Sequence, residues 1–229
     1  MQIDMRTCLK KAAEDFGQIN LKPVNTLARN NLRKIDDGSS KVSEQRQAKF
    51  HSIVMLLMHV AIRGRRDIQP TISFLSQRVN ACTEEDCDKL KRLIRYIAGT
   101  MGIMAHIGAT DLSVLMHFAD AAYAVHDDYC SHTGGTTTIG YGVVCSMSSK
   151  QKINTNSSTC AELVGVSNYF LKLSCAKLFL EAQGVMLRRN IIYQDNMSAM
   201  LMEQNGRSSC SRRSRHLNMR YFYVVDAVK

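Results

Sequence analysis

The 229-residue sequence predicts an α/β layered domain behind a mostly helical segment. Three observations point to it. Residues 50 to 100 carry apolar side chains at helical spacing, the texture switches to alternation after Gly108, and the order beyond is three strands, a helix, a strand and a helix.

The elements follow in chain order. Met5 to Phe16 reads as a short helix followed by an irregular stretch. Asp36 to Lys49 is polar, without large apolar residues, and reads as an exposed linker. Phe50 to Ile62 and Ile72 to Val79 are apolar-rich and broken at Gly64 and Pro70. Thr83, followed by Glu84, Glu85 and Asp86, is an N-cap with acids where the helix dipole favours them. That helix carries Leu90, Leu93, Ile94 and Ile97 on one face and ends at Gly99. Leu112, Val114, Met116 and Phe118 alternate as a strand that runs into Asp120. Gly134-Gly135 signals a turn, Thr138 to Met147 a second strand and Lys152 to Asn156 a third. Thr159 to Gln183 is a long helix with Leu163, Val166, Phe170 and Leu173 on one stripe, stopped by Gly184. Asn190 to Gln194 reads as a buried strand, Asn196 to Glu203 as a short helix and His216 to Val228 as a last helix.

Composition narrows the function classes. A hydrophobic fraction of 45% excludes disorder throughout. No uninterrupted run of roughly 18 apolar residues offers a membrane span, and MQIDMRTCLKK lacks the apolar centre of a signal peptide. A soluble, intracellular protein that is not secreted and has no membrane partner is expected. The eight cysteines form no Cys-x-x-Cys pair, and Cys82 and Cys87 have no nearby His to complete a zinc site, so free thiols are expected. The net charge of +10 suits a polyanionic partner. Between Glu203 and Asp226 lie Arg207, Arg212, Arg213, Arg215 and Arg220 with no carboxylate, a composition that can fork onto phosphates and can equally be a solvated loop.

Three acids punctuate the second half at element ends. Asp120 closes the first strand, Glu162 lies in the first turn of the long helix, and Asp195 closes the fourth strand. Carboxylates so placed can bind hard divalent cations, and two Mg²⁺ ions roughly 3.5–4 Å apart can drive phosphodiester cleavage. Each acid also has a purely structural reading. Glu162 completes a capping box with Thr159, Asp195-Asn196 caps the short helix, and Asp120 is a surface acid on a turn. Singly those readings are the better ones; the joint order of the three acids is much harder to obtain by accident.

That order resembles the ribonuclease H fold, and the local words resemble its copia-type retrotransposon branch. The segments are FADAAYAVHDDYCSHTGG (118–135), SSKQKINTNSSTCAELVGV (148–166), IYQDNMSAM (192–200) and SRRSRHLNMRYFYVVD (211–226). Upstream, FHSIVMLLMHVAIRGRRDIQPTISFLSQRV (50–79) and LKRLIRYIAGT (90–100) are similar to the segment joining reverse transcriptase to nuclease. The resemblance covers residues 50 to 229 and implies an α/β, ribonuclease H-like mixed sheet with flanking helices, preceded by a mostly helical reverse-transcriptase connection segment. It implies a boundary between 1–110 and 111–229, and Asp120, Glu162 and Asp195 as catalytic ligands of Mg²⁺ or Mn²⁺, with no small-molecule cofactor. Its substrate would be an RNA–DNA hybrid, its other partner the remainder of the polyprotein. Asn196 and Ser198 would contact the backbone or sugar hydroxyls, and Arg207, Arg212, Arg213 and Arg215 the phosphates. His216 is a further phosphate contact or a helix cap.

The sequence departs from the family pattern at Cys160, where the family usually has an acid, and at Arg65-Arg66-Asp67, where it reads Arg-Pro-Asp. The polymerase's paired-aspartate strand is absent, and Asp127-Asp128 lies in the nuclease hairpin. The family's fourth carboxylate follows in a later strand and helix, so an incomplete C-terminus is expected. Asp226 mimics it by spacing alone. A non-catalytic nucleic-acid-binding or inert remnant of the same element is the alternative to an active nuclease.

Overall fold

The computed structural model describes residues 1–17 and 22–205. They divide into two compact units, Met1–His106 and the chain from Ile107 onward.

The first unit is helical because its apolar residues recur every three or four positions. Strand β1 (Gln2–Ile3) leads into helix α1 (Arg6–Phe16), which Gly17 ends with a left-handed φ of 82°. Helix α2 (Glu44–Arg63) follows, capped by Ser43, whose hydroxyl accepts from the Arg46 N–H. The expected linker over Asp36–Lys49 is therefore too long, because the cap starts the helix in its polar half. A 3₁₀ turn (Arg66–Ile68) leads to α3 (Gln69–Gln77), where Pro70 sits in the first turn and needs no N–H. Pro70 opens this helix and does not break one. The turn is held by buried Arg65, whose guanidinium forks onto Asp67 at 2.9 and 2.8 Å and also donates to the Thr100 carbonyl. Helix α4 (Glu84–Gly99) starts at the Thr83–Asp86 capping box. Strand β2 (Ala105–His106) pairs antiparallel with β1. Leu9, Phe50, Ile53, Leu57, Ile72, Leu75, Leu90, Leu93 and Ile97 form one continuous core.

The second unit is the expected α/β layer. Its sheet is mixed. Strands β4 (Val114–Ala122), β5 (His132–Thr138) and β7 (Cys145–Lys150) form an antiparallel meander, and β8 (Arg189–Tyr193) pairs parallel with β4. The order across the sheet is β7-β5-β4-β8. Two short strands, β3 (Gly108–Ala109) and β6 (Gly140–Tyr141), pair beside it. Helix α5 (Ser158–Ala182) makes the crossover to β8, and α6 (Met197–Asn205) follows.

Several expected boundaries move, each for a local reason. Gly134 and Gly135 lie inside β5, not in a turn. Tyr169 of α5 leans on that strand so closely that a Cβ on Gly135 would stand 2.4 Å from its ring. The turn falls earlier, where Ala124 and Tyr129 adopt positive φ without glycine and the His126 N–H donates to the Cys130 carbonyl. The second strand is thus His132–Thr138 and not 138–147, and the third is Cys145–Lys150. Residues 152–156 form a loop, which Asn154 ties to the turn by donating to the Asp128 carbonyl at 3.2 Å. Strand β8 lies at the sheet edge and is half-exposed, not buried. Helix α5 is long and apolar enough, by length and composition, to cross a membrane, which corrects the absence of any such segment. Its inner face nevertheless packs on the sheet through Val166, against Ala119, and Tyr169. The expected helix over His216–Val228 lies outside the described residues.

Candidate metal centre

Alternation along β4 sends Leu115, His117, Ala119 and Ala121 toward α5 and leaves Phe118 and Asp120 exposed. Asp120 sits within the strand, not at its end, directly opposite Gly134. Helix α5 approaches β4 closely at Gly165, where a Cβ would meet that of Ala121 at 3.2 Å. This approach brings Glu162, one turn earlier, to the Asp120 strand. Ser157, not Thr159, caps α5, its hydroxyl accepting from the Cys160 N–H at 3.2 Å. Glu162 therefore stands in the second turn and completes no capping box. It accepts instead from the Ala121 backbone N–H and, at 3.3 Å, from the Gln194 side-chain amide. Asp195 lies two residues beyond β8, where the parallel pairing with β4 delivers it beside Asp120.

One ligand oxygen from each of Asp120, Glu162 and Asp195 lies within 4.8 Å of the others, Glu162 buried and the two aspartates exposed. Burial pushes the Glu162 carboxyl up to about 7, and the negative charges of Asp120 and Asp195 add to the shift, while the Ala121 and Gln194 hydrogen bonds oppose it. Three carboxylates gathered so closely repel one another, and a divalent cation with a preference for oxygen would relieve that repulsion. The donor set fits Mg²⁺ or Mn²⁺ and lacks the sulfur and imidazole ligands that zinc prefers.

The remaining candidates divide. Asn196 uses its side-chain carbonyl to cap α6, accepting from the Ala199 N–H at 3.0 Å, while Ser198 is exposed in the first turn of that helix. Arg207, Arg212, Arg213, Arg215 and His216 lie outside the described residues, as does Asp226.

Sequence reasoning missed two residues. Gln194 links two acids: its amide bonds Glu162, and its carbonyl oxygen accepts from the Asp195 N–H at 3.0 Å. Glu203 of α6 is buried, and one of its oxygens has no hydrogen-bond partner among the described residues. Burial, together with the nearby Glu162, pushes its carboxyl up to about 7. The available signal was its helical spacing from Ala199, which puts both on one face.

No family model matches the chain. Among curated proteins it is 26% identical over 225 residues to the retrovirus-related Pol polyprotein from transposon TNT 1-94 of Nicotiana tabacum, covering 96% of this chain and 17% of that protein. It is 34% and 32% identical over 185 residues to the corresponding polyproteins from transposons RE1 and RE2 of Arabidopsis thaliana, covering 79% of this chain and 12% of each. The chain thus spans less than a fifth of the length of these relatives. Among solved structures, a foamy viral protease–reverse transcriptase in complex with double-stranded DNA aligns with a TM-score of 0.43 at 12% identity, over 87% of this chain and 32% of that one. At that score the likeness adds nothing to the topology described above.

Proposed function

We infer that this chain, which belongs with the retrovirus-related Pol polyproteins of transposons, carries the nuclease site of a copia-type element and hydrolyses the RNA strand of RNA–DNA hybrids. The observation that supports this most is the meeting of Asp120, Glu162 and Asp195 from three separate elements. In this reading residues 1–110 belong to the reverse-transcriptase connection and 111–229 to the nuclease, working inside the cell beside the rest of the polyprotein.

The division of labour follows from exposure. Asp120 and Asp195 offer oxygens toward solvent, where a phosphodiester arrives, and Glu162 offers one from beneath. Ala121 and Gln194 hold Glu162 in place, so the floor of the site is fixed before substrate binds. Divalent ions, when bound, would supply a water of lowered pKa and neutralise charge on the leaving oxygen. Asn196 and Ser198, beside Asp195 at the start of α6, would meet the backbone or sugar hydroxyls, and Arg207, Arg212, Arg213, Arg215 and His216 the phosphates.

A binding-only reading has one observation in its favour. Glu203, a further buried acid close enough to feel the charge of Glu162, does not join the group of three. Cleavage of a labelled hybrid decides between the two. The nuclease reading expects metal-dependent cleavage of the RNA strand that Glu162→Gln and Asp195→Asn each abolish without loss of folding. Metal-dependent binding without cleavage would leave the binding-only reading standing.

A further inference from the structure

Helix α5 turns one face toward β8 and α6, on which Phe170, Leu173, Ser174 and Lys177 recur at spacings of three and four. Alternation along β8 and just beyond it puts Asn190, Ile192 and Gln194 on that same side, opposite Tyr193. Helix α6 adds Met200 and Glu203. These three walls leave a cleft of about 450 Å³ between them, a volume typical of small-ligand sites. Its apolar surface comes from Phe170, Leu173, Ile192 and Met200.

Three polar side chains of the cleft are already engaged. Asn190 bonds His117 at 2.8 Å, Gln194 donates to Glu162 and accepts from the Asp195 N–H, and Lys177 lies 3.9 Å from Glu181, one turn along its own helix. Glu203 differs. It is only 7% exposed, and one of its carboxyl oxygens is enclosed without a hydrogen-bond partner among the described residues. Packing alone does not call for a carboxyl here, since Ala199, one turn earlier on the same face of α6, is fully buried with no polar group. A carboxylate so enclosed is costly unless a cation or another donor reaches it.

We propose that this cleft binds a small organic cation, an amidinium or primary ammonium carried on an apolar body, with Glu203 as its anchor. The charged end supplies the donor that the enclosed oxygen lacks, in a charge-assisted hydrogen bond. The apolar body covers the surface given by Phe170, Leu173, Ile192 and Met200 and displaces water from it. The proposal does not rest on hydrolysis by the acid triad, because none of Asp120, Glu162 and Asp195 lines the cleft.

The test is calorimetric titration of the full chain with benzamidine at pH 8, where Glu203 is ionised. The wild type should bind, and Glu203→Gln should weaken binding roughly tenfold or more, as loss of a charge-assisted hydrogen bond requires. Benzamide, the neutral counterpart, should bind more weakly than benzamidine by a similar factor. Ser174→Trp fills the cleft and leaves the carboxyl in place; it should abolish binding, and it serves should Glu203→Gln unfold the protein. Asp120→Asn with Asp195→Asn should leave the affinity unchanged. Absence of binding by the wild type, or unchanged affinity in Glu203→Gln or Ser174→Trp, would overturn the site. Equal affinity for benzamide would overturn the carboxylate as anchor. Loss of binding in the double aspartate variant would overturn the cleft in favour of the metal centre. Tighter binding of a short arginine-bearing peptide than of benzamidine would overturn the small-molecule ligand in favour of a protein side chain.

Discussion

Glu203 has one carboxyl oxygen enclosed in the protein with no donor among the described residues to meet it. Its unfolded value near 4.5 rises to about 7 in the native state because burial penalises the charge. The native state therefore holds a proton between those values that the unfolded chain has released. By linkage, stability from this group is highest below pH 4.5 and falls as pH rises through 7, by at most about 3 kcal/mol. Glu203→Gln keeps the shape and removes the titration. Urea midpoints across this window should converge at low pH and favour the variant at pH 8. A variant less stable than wild type at pH 8 would mean the carboxylate has a cationic partner in solution. His117 has the opposite sense. It is buried, which lowers its pKa, and it bonds Thr137 and Asn190 at 2.8 Å each, so acidification below 6.5 costs stability. His117→Gln should therefore lose less stability than wild type between pH 7 and 5, read from the same urea midpoints.

Tyr169, Thr137, His117 and Asn190 form a hydrogen-bonded chain from α5 across β5 and β4 to β8, beginning at the 2.6 Å contact between the Tyr169 and Thr137 hydroxyls. Gly135 makes room for the Tyr169 ring. Gly135→Ala should cost about 1–3 kcal/mol by overpacking, whereas Gly134→Ala, whose Cβ would meet only the Asp120 carbonyl at 3.9 Å, should cost much less. Equal urea midpoints for the two variants would remove the ring contact as the reason for glycine. This position also shows why the meander was hard to read. A glycine pair normally marks a turn, and only the unseen approach of a helix makes it a strand. The real turn uses Ala124 and Tyr129, which carry no sequence mark of positive φ. Helices α4 and α5 were legible because their apolar stripes and their stops are written locally. The acids were legible as an ordered set, whereas Gln194 and Glu203 act through contacts that periodicity does not encode.

Across the whole second unit, the three acids converge only in the native fold, so a cation bound by them stabilises the protein by mass action. Millimolar Mg²⁺ or Mn²⁺ should raise the melting midpoint, and Asp195→Asn should remove that rise. An unchanged midpoint in the wild type would count against a metal site. Hybrid binding offers a further measurement. Replacing Arg212, Arg213 and Arg215 by Ala should lower the log–log salt slope by roughly 0.7–0.9 for every phosphate these side chains neutralise. Identical slopes would leave these arginines as solvated surface.

The parallel pairing of β4 with β8 has a kinetic corollary. The two strands meet only after the meander and the whole of α5 have been looped between them. Closing so large a loop costs chain entropy before any pairing repays it, so this contact should form late on the folding path. On that order Asp195 should reach Asp120 after the rate-limiting barrier. Metal added during refolding should leave the folding rate constant nearly unchanged and act by slowing unfolding. Stopped-flow traces with and without Mg²⁺ would show this as a shift of the unfolding limb alone; a matching rise in the folding limb would place the three acids together in the transition state.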